Sequence, residues 1–164
     1  MNGLQWKMES PLGPLWLVAG ESGLRGVLWR RPEGEKLRAL EGSNPAVLVL
    51  KRSVAELESY FAGELRDFSV PLDVHGTPFQ RRVWNELSRI PWGETRSYGD
   101  IARGLKNANA VRAVGTANGR NPVSIVVPCH RVIGTNGSLT GYAGGLDVKK
   151  RLLEIEGLKF SAPG

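Results

Sequence analysis

A single cysteine, two histidines and no long apolar run set the first limits on this sequence. One cysteine cannot close an internal disulfide, so a disulfide-stapled secreted fold is excluded and a reducing, cytoplasmic setting is expected. The same shortage leaves a structural zinc site of the usual Cys/His kind without enough ligands, and no metal is expected. The longest apolar stretches, such as Leu15–Ala19 and Ala46–Leu50, are far too short to span a bilayer. Residues Met1–Ser10 carry Lys7 and Glu9 and no apolar core segment, unlike a signal peptide. Internal repeats and low-complexity tracts are also missing.

What is present suits a folded chain. Apolar residues make up 41% of 164, enough for a real core in one compact domain or in a small domain packed on a larger one. The net charge of +6 is unevenly placed. Residues 1–77 hold 9 Lys/Arg against 10 Asp/Glu, whereas residues 78–164 hold 13 against 6. A basic surface attracts polyanions through counterion release, and nucleic acid is the commonest of them; a merely soluble basic face is the competing explanation.

The first part reads as α+β. Leu4–Met8 and Leu15–Ala19 are strand candidates, Gly20–Gly23 is a turn, and Leu24–Trp29 returns as a hairpin partner. After Pro32 the chain is either a loop or a short helix opened by Glu33, Glu35, Lys36 and Arg38. Asn44-Pro45 fits a helix start, Val47, Leu50, Val54, Leu57 and Phe61 recur at helical spacing, and Gly63 closes the run. Phe68–Val74 is a further strand candidate, placed at a sheet edge by Pro71.

A boundary is expected near Gly76, giving domains 1–76 and 77–164. Thr77-Pro78-Phe79-Gln80 is a capping box, and Phe79, Val83, Leu87 and Ile90 form one apolar stripe up to Pro91-Trp92-Gly93. Ser97 caps a second helix, with Asp100 three residues on and Ile101, Ala102 and Leu105 facing inward. Lys106–Asn109 is a turn, and a third helix runs over about 110–117. Such a helix pair is a helix-turn-helix pattern. The third helix presents Ala110, Ala113, Gly115 and Ala117, all small, with Arg112 among them. Small side chains permit close approach of a partner, whether another helix of the same protein or DNA.

Residues 121–133 carry the chemistry. The β-branched apolar run Val123–Val127, with Ser124 inside it, is expected to bring Cys129 to the end of a buried extended segment. A cysteine is a good nucleophile as thiolate, and His130 is the nearest base. Adjacent side chains of an extended chain point to opposite faces, so a bridging water or a helical turn starting here is required. A carboxylate should orient the imidazole, and spacing does not select which. Without wider context, an inert buried thiol competes with the nucleophile.

At Pro128-Cys129-His130-Arg131-Val132 the sequence resembles the O6-alkylguanine-DNA alkyltransferases, in their bacterial form. The resemblance runs from about Thr77 to Gly157, through Ile90–Thr95, Ser97-Tyr98, Ala113-Val114-Gly115, Asn121-Pro122 and Gly141–Gly145. It implies an α+β protein in which a small ribonuclease H-like α/β domain packs on a mostly helical domain bearing a winged helix-turn-helix. Cys129 then matches the alkyl acceptor, His130 the base acting through a water, and Glu156 the carboxylate that orients it. Asn121 matches the asparagine joining the DNA-binding helix to the active-site wall, and Tyr98 the hydroxyl that bonds the guanine and can protonate it as it leaves. Arg112 matches a finger that fills the gap left by an extruded base. Ala110, Ala113 and Gly115 match the face laid in the minor groove, and Val132, Tyr142, Ala143 and Gly144 the substrate pocket.

The resemblance further implies one irreversible alkyl transfer per molecule, from O6-alkylguanine and O4-alkylthymine in double-stranded DNA, by a monomer needing no cofactor. Arg131 is assigned to a structural ion pair, with the N-terminal domain as one possible partner. Ser124 and Ala143 stand where mammalian relatives have proline and serine, which bears on the size of alkyl group accepted. Three other readings compete: a non-catalytic lesion-binding sensor, a cysteine hydrolase, and a transcriptional regulator. The presence of Cys129 opposes the first, the adjacency of Cys129 and His130 the second, and the lack of an effector or dimerisation segment the third.

Overall fold

Short apolar segments separated by tight turns build the first part of the chain. In the computed structural model, which describes residues 2–159, β1 (Leu4–Met8), β2 (Leu15–Gly20) and β3 (Gly23–Leu28) form an antiparallel sheet in that order. Helix α1 (Pro45–Phe61) packs on β2 and β3. The Asn44 side chain caps it, accepting from Ala46 N at 2.8 Å. Val47, Leu50 and Leu57 of the expected stripe are buried, but at its other two positions the neighbouring residue takes the inward place. Ser53 and Tyr60 are buried, while Val54 and Phe61 are half-buried. Ser53 can sit in the core because its hydroxyl donates to Val49 O at 2.8 Å.

After Pro32 the loop alternative holds, and one later segment departs from expectation. Residues 33–38 form no helix; Leu37 N donates to Gln5 O at 2.8 Å, holding the segment beside β1. Residues 68–74 form no strand. They touch β3 at a single bridge, where Leu24 N donates to Pro71 O and Asp73 N to Leu24 O. A ladder cannot continue through Pro71, which has no N–H to give. The close crossing requires glycine at 23, since a Cβ there would stand 2.7 Å from Pro71 O.

The chain divides into two compact units, Met1–His75 and Gly76–Gly164. Met1 and residues 160–164, which the expected domains 1–76 and 77–164 include, lie outside the described residues. The second unit holds α2 (Pro78–Leu87), β4 (Arg96–Ser97), α3 (Tyr98–Gly104), α4 (Val111–Gly119), β5 (Val132–Ile133) and α5 (Leu146–Ile155). Helix α4 packs against α2 and α3, and the buried Trp84 indole N–H donates to Ala117 O at 2.9 Å. Ala117 therefore lies on the inward face of α4, apart from the exposed Ala113 and Arg112. The α3–α4 turn closes through Asn107 N to Ala102 O, with Lys106 in the left-handed region at φ 59°. Strands β4 and β5 pair in parallel, Arg96 with Val132 and Ser97 with Ile133, which brings the start of α3 beside the segment after Cys129. Among the described residues, no helix is long and apolar enough to cross a membrane.

Both capping boxes form. Gln80 N donates to Thr77 Oγ1 at 3.1 Å and Thr77 N to Gln80 Oε1 at 2.9 Å; Ser97 and Asp100 repeat the exchange at 3.0 and 2.8 Å. Thr77→Ala is expected to lower unfolding free energy by about 1 kcal/mol, read as a shifted urea midpoint at unchanged slope.

Candidate active site

The segment leading to Cys129 is a compact turn, not an extended strand. Val127 N donates to Val123 O at 3.0 Å, Val126 N to Ser124 O at 2.9 Å, and buried Ile125 adopts φ 74°. A β-branched residue rarely takes that conformation unless its surroundings hold it there. Asn121 supplies one restraint. Its Nδ2 donates to Val127 O at 2.8 Å and its Oδ1 accepts from Val123 N at 3.1 Å, so one amide clasps both ends of the turn. Asn121 itself follows directly on α4, with its N–H on Asn118 O. Helix α4 is thus tied to the turn that carries the cysteine.

Cys129–Arg131 form one 3-10 turn, the helical solution to the adjacency problem. Three residues per turn send consecutive side chains in directions about 120° apart. His130 and Arg131 both reach Glu156, which ends α5. His130 Nε2 lies 2.7 Å from Glu156 Oε2, Arg131 Nε donates to Oε1 at 2.7 Å, and Arg131 Nη2 to Oε2 at 3.1 Å. Arg131 Nη1 also donates to Ile90 O at 2.6 Å, beyond the end of α2. The expected ion pair of Arg131 thus forms with Glu156, inside the second unit.

Electrostatics give these groups distinct states. Burial pushes the Glu156 carboxyl up, but the hydrogen bonds and charges of His130 and Arg131 outweigh it and hold the group at about 2. An ionised carboxylate only accepts, so the hydrogen-bond network assigns a proton to His130 Nε2. Burial lowers the His130 pKa, Glu156 opposes that, and the Arg131 and Lys149 charges add to it. The imidazole is then neutral with its basic lone pair on Nδ1, which is buried without a hydrogen-bond partner among the described residues. Burial raises the Cys129 thiol, offset in part by the Asn121 side chain, the Lys149 charge and the side chains of Tyr142 and Ser124.

The other expected residues gather unevenly. Tyr98 opens α3, half-buried, its hydroxyl 2.7 Å from Thr140 Oγ1. Gly115 faces the Tyr98 ring, where a Cβ would come within 3.9 Å, so this glycine borders the tyrosine as well as α4's outer side. Val132 is buried, its N–H on Cys129 O and its carbonyl accepting from Lys149 Nζ at 2.6 Å. Tyr142 and Gly144 are half-buried and Ala143 exposed, all on the loop before α5. Arg112 and Ala113 are exposed on α4 and Ala110 is its cap position; the Arg112 guanidinium makes no ion pair among the described residues.

Sequence reading missed Lys149. It is fully buried and donates to Val132 O and Thr140 O, with no carboxylate within salt-bridge distance among the described residues. Burial lowers its pKa to about 8, opposed by Cys129. The available signal was its place on the inward stripe of α5 with Leu152, Leu153 and Glu156, where a lysine is out of keeping.

Two family models divide the chain between them. The ribonuclease-like domain of 6-O-methylguanine DNA methyltransferase matches residues 5–74, and the DNA-binding domain of the same family matches residues 78–158. The chain belongs to the 6-O-methylguanine DNA methyltransferase family. A methylated-DNA–protein-cysteine methyltransferase of Methanosarcina acetivorans is 50% identical over 149 residues, covering 91% of this chain and 95% of that protein. The Mycobacterium tuberculosis protein of that name is 49% identical over 156 residues, covering 95% and 92%. Among solved structures, Mycobacterium tuberculosis OGT in complex with DNA superposes with a TM-score of 0.80 at 48% identity, covering 93% of this chain and 92% of that one. This family's mixed architecture, with a small sheet domain and a helical DNA-binding domain, is that of the present chain.

Removing the central charge should be costly. Glu156→Gln leaves Arg131 buried without a counter-ion and is expected to cost about 3 kcal/mol at neutral pH. Because Glu156 titrates near 2 when folded against an ordinary 4.5, its contribution is full above 4.5 and fades as pH falls toward 2. Urea midpoints of the wild type and the variant should converge over that interval; a constant gap would contradict the assignment.

Proposed function

We propose that the protein repairs alkylated DNA directly, moving an alkyl group from O6-alkylguanine, and from O4-alkylthymine, to Cys129. The observation that carries this reading is the buried line Glu156–His130 beside Cys129, with Nδ1 left as the basic atom. A water between Nδ1 and the thiol lets His130 take the proton. The thiolate then attacks the alkyl carbon; an S–C bond forms, the C–O6 bond breaks, and the electron pair leaves with guanine. Tyr98 donates a proton to a ring nitrogen of the departing base. The product is a thioether, which has no ready reversal, so each molecule acts once and needs no cofactor.

Cys129 is only 4% exposed, so a base stacked in a duplex cannot reach it. The damaged nucleotide must leave the stack and enter the pocket bordered by Val132, Tyr142, Ala143 and Gly144. The basic excess of residues 78–164 supports DNA as partner. Exposed Arg112 is suited to stacking in the gap. Ala110, Ala113 and Gly115 keep α4 slim enough to lie in the minor groove, where little sequence is read. The protein acts as a monomer in the cytoplasm.

Incubation with duplex DNA containing O6-methylguanine, followed by intact-mass measurement, tests the reaction. One methyl group on Cys129 and no turnover beyond one equivalent are expected. Repeated turnover, or unchanged mass, would refute it. Arg112→Ala should slow repair of duplex DNA by about tenfold or more while sparing reaction with a free O6-alkylguanine base. Equal losses on both substrates would remove the stacking role.

A further inference from the structure

Thr140 lies on the loop between β5 and α5, just before the Gly141–Gly145 motif. Its side chain and its backbone face two different functional groups. Thr140 Oγ1 is 2.7 Å from the Tyr98 hydroxyl, while Thr140 O accepts from the buried Lys149 ammonium at 3.2 Å. Lys149 Nζ in turn holds Val132 O at 2.6 Å, three residues from the nucleophile. One residue thus joins the side of the pocket where the proposed leaving group is protonated to the side where the thiol sits.

We propose that Thr140 is a positioning residue for alkyl transfer, orienting the Tyr98 hydroxyl toward the base and stabilising it as it gives up its proton. The proposal rests on the reading of Tyr98 as proton donor. A hydroxyl has one proton to donate and two lone pairs that accept. Either hydroxyl of the pair can donate; when Thr140 donates to Tyr98, the Tyr98 proton is free to point at the base. As the C–O6 bond breaks, the Tyr98 proton passes to a guanine ring nitrogen and the phenolate oxygen keeps its hydrogen bond from Thr140. The proton that Cys129 released through His130 balances the one the base gains, so the phenolate is restored from solvent without net proton uptake. A hydrogen bond to an ionised group is stronger than one to a neutral group. The Thr140 bond therefore strengthens as charge develops on Tyr98, which is the condition for lowering the barrier and not merely for binding.

The experiment is single-turnover transfer from O6-methylguanine duplex DNA, with binding of the same DNA measured separately. Thr140→Val keeps the shape and the carbonyl that Lys149 uses but removes the donor. Its rate constant is expected to fall about tenfold with DNA affinity unchanged, and Thr140→Ser is expected to restore it. In a Tyr98→Phe background, Thr140→Val should cause no further loss. A wild-type rate for Thr140→Val, a loss explained by weaker DNA binding, failure of Thr140→Ser to recover activity, or the same loss persisting without the Tyr98 hydroxyl would each overturn the proposal. A Tyr98→Phe protein as fast as wild type would instead overturn the Tyr98 reading on which it rests.

Discussion

Glu156 is the constraint on which the second unit turns. A carboxylate with no side-chain exposure is costly to bury, and it is tolerable only because Arg131 meets both of its oxygens and His130 meets one. The partners are 25 and 26 residues away in the chain, so this contact closes the loop that contains β5 and the pocket segment before α5. Arg131 extends the same network to Ile90, past the end of α2. The end of α5, the segment after α2 and the cysteine turn are therefore joined through the Glu156–Arg131 pair.

That arrangement also divides the labour between neighbouring residues. Arg131 neutralises the carboxylate, which leaves His130 free to stay uncharged with its Nε2 committed and its Nδ1 available. Burial favours the protonated Cys129 thiol, and the charge of the buried Lys149 ammonium works the other way, toward the thiolate. Cys129 is thus held out of bulk water. Placing it on a turn clasped by Asn121 fixes its position relative to α4, the helix that carries Arg112.

Much of the local structure was legible along the chain. Capping boxes at Thr77 and Ser97, the Asn44-Pro45 start and the hairpin of β2 and β3 all follow from short-range chemistry, and all form. Departures occurred where specific side-chain and packing contacts overrode β propensity. Val123–Val127 has the composition of a strand, yet Asn121 and the buried surroundings fold it into a turn with Ile125 at a positive φ. Residues 68–74 look like a strand, but Pro71 and the close crossing at Gly23 limit pairing to one bridge.

The sequence by itself determined the cysteine's singular status, the bias of positive charge toward the second half, and a chain of motifs specific enough to identify the family. It did so because those features are composition and short-range order, which need no knowledge of the fold. Only the tertiary structure decided that Arg131 shares Glu156 with His130, that Lys149 is buried against the carbonyls of Val132 and Thr140, and that Thr140 links it to Tyr98. These depend on where a carboxylate, an ammonium and a hydroxyl from separate segments meet once water is excluded. No spacing along the chain encodes that meeting, because burial, not sequence distance, sets the strength of each interaction.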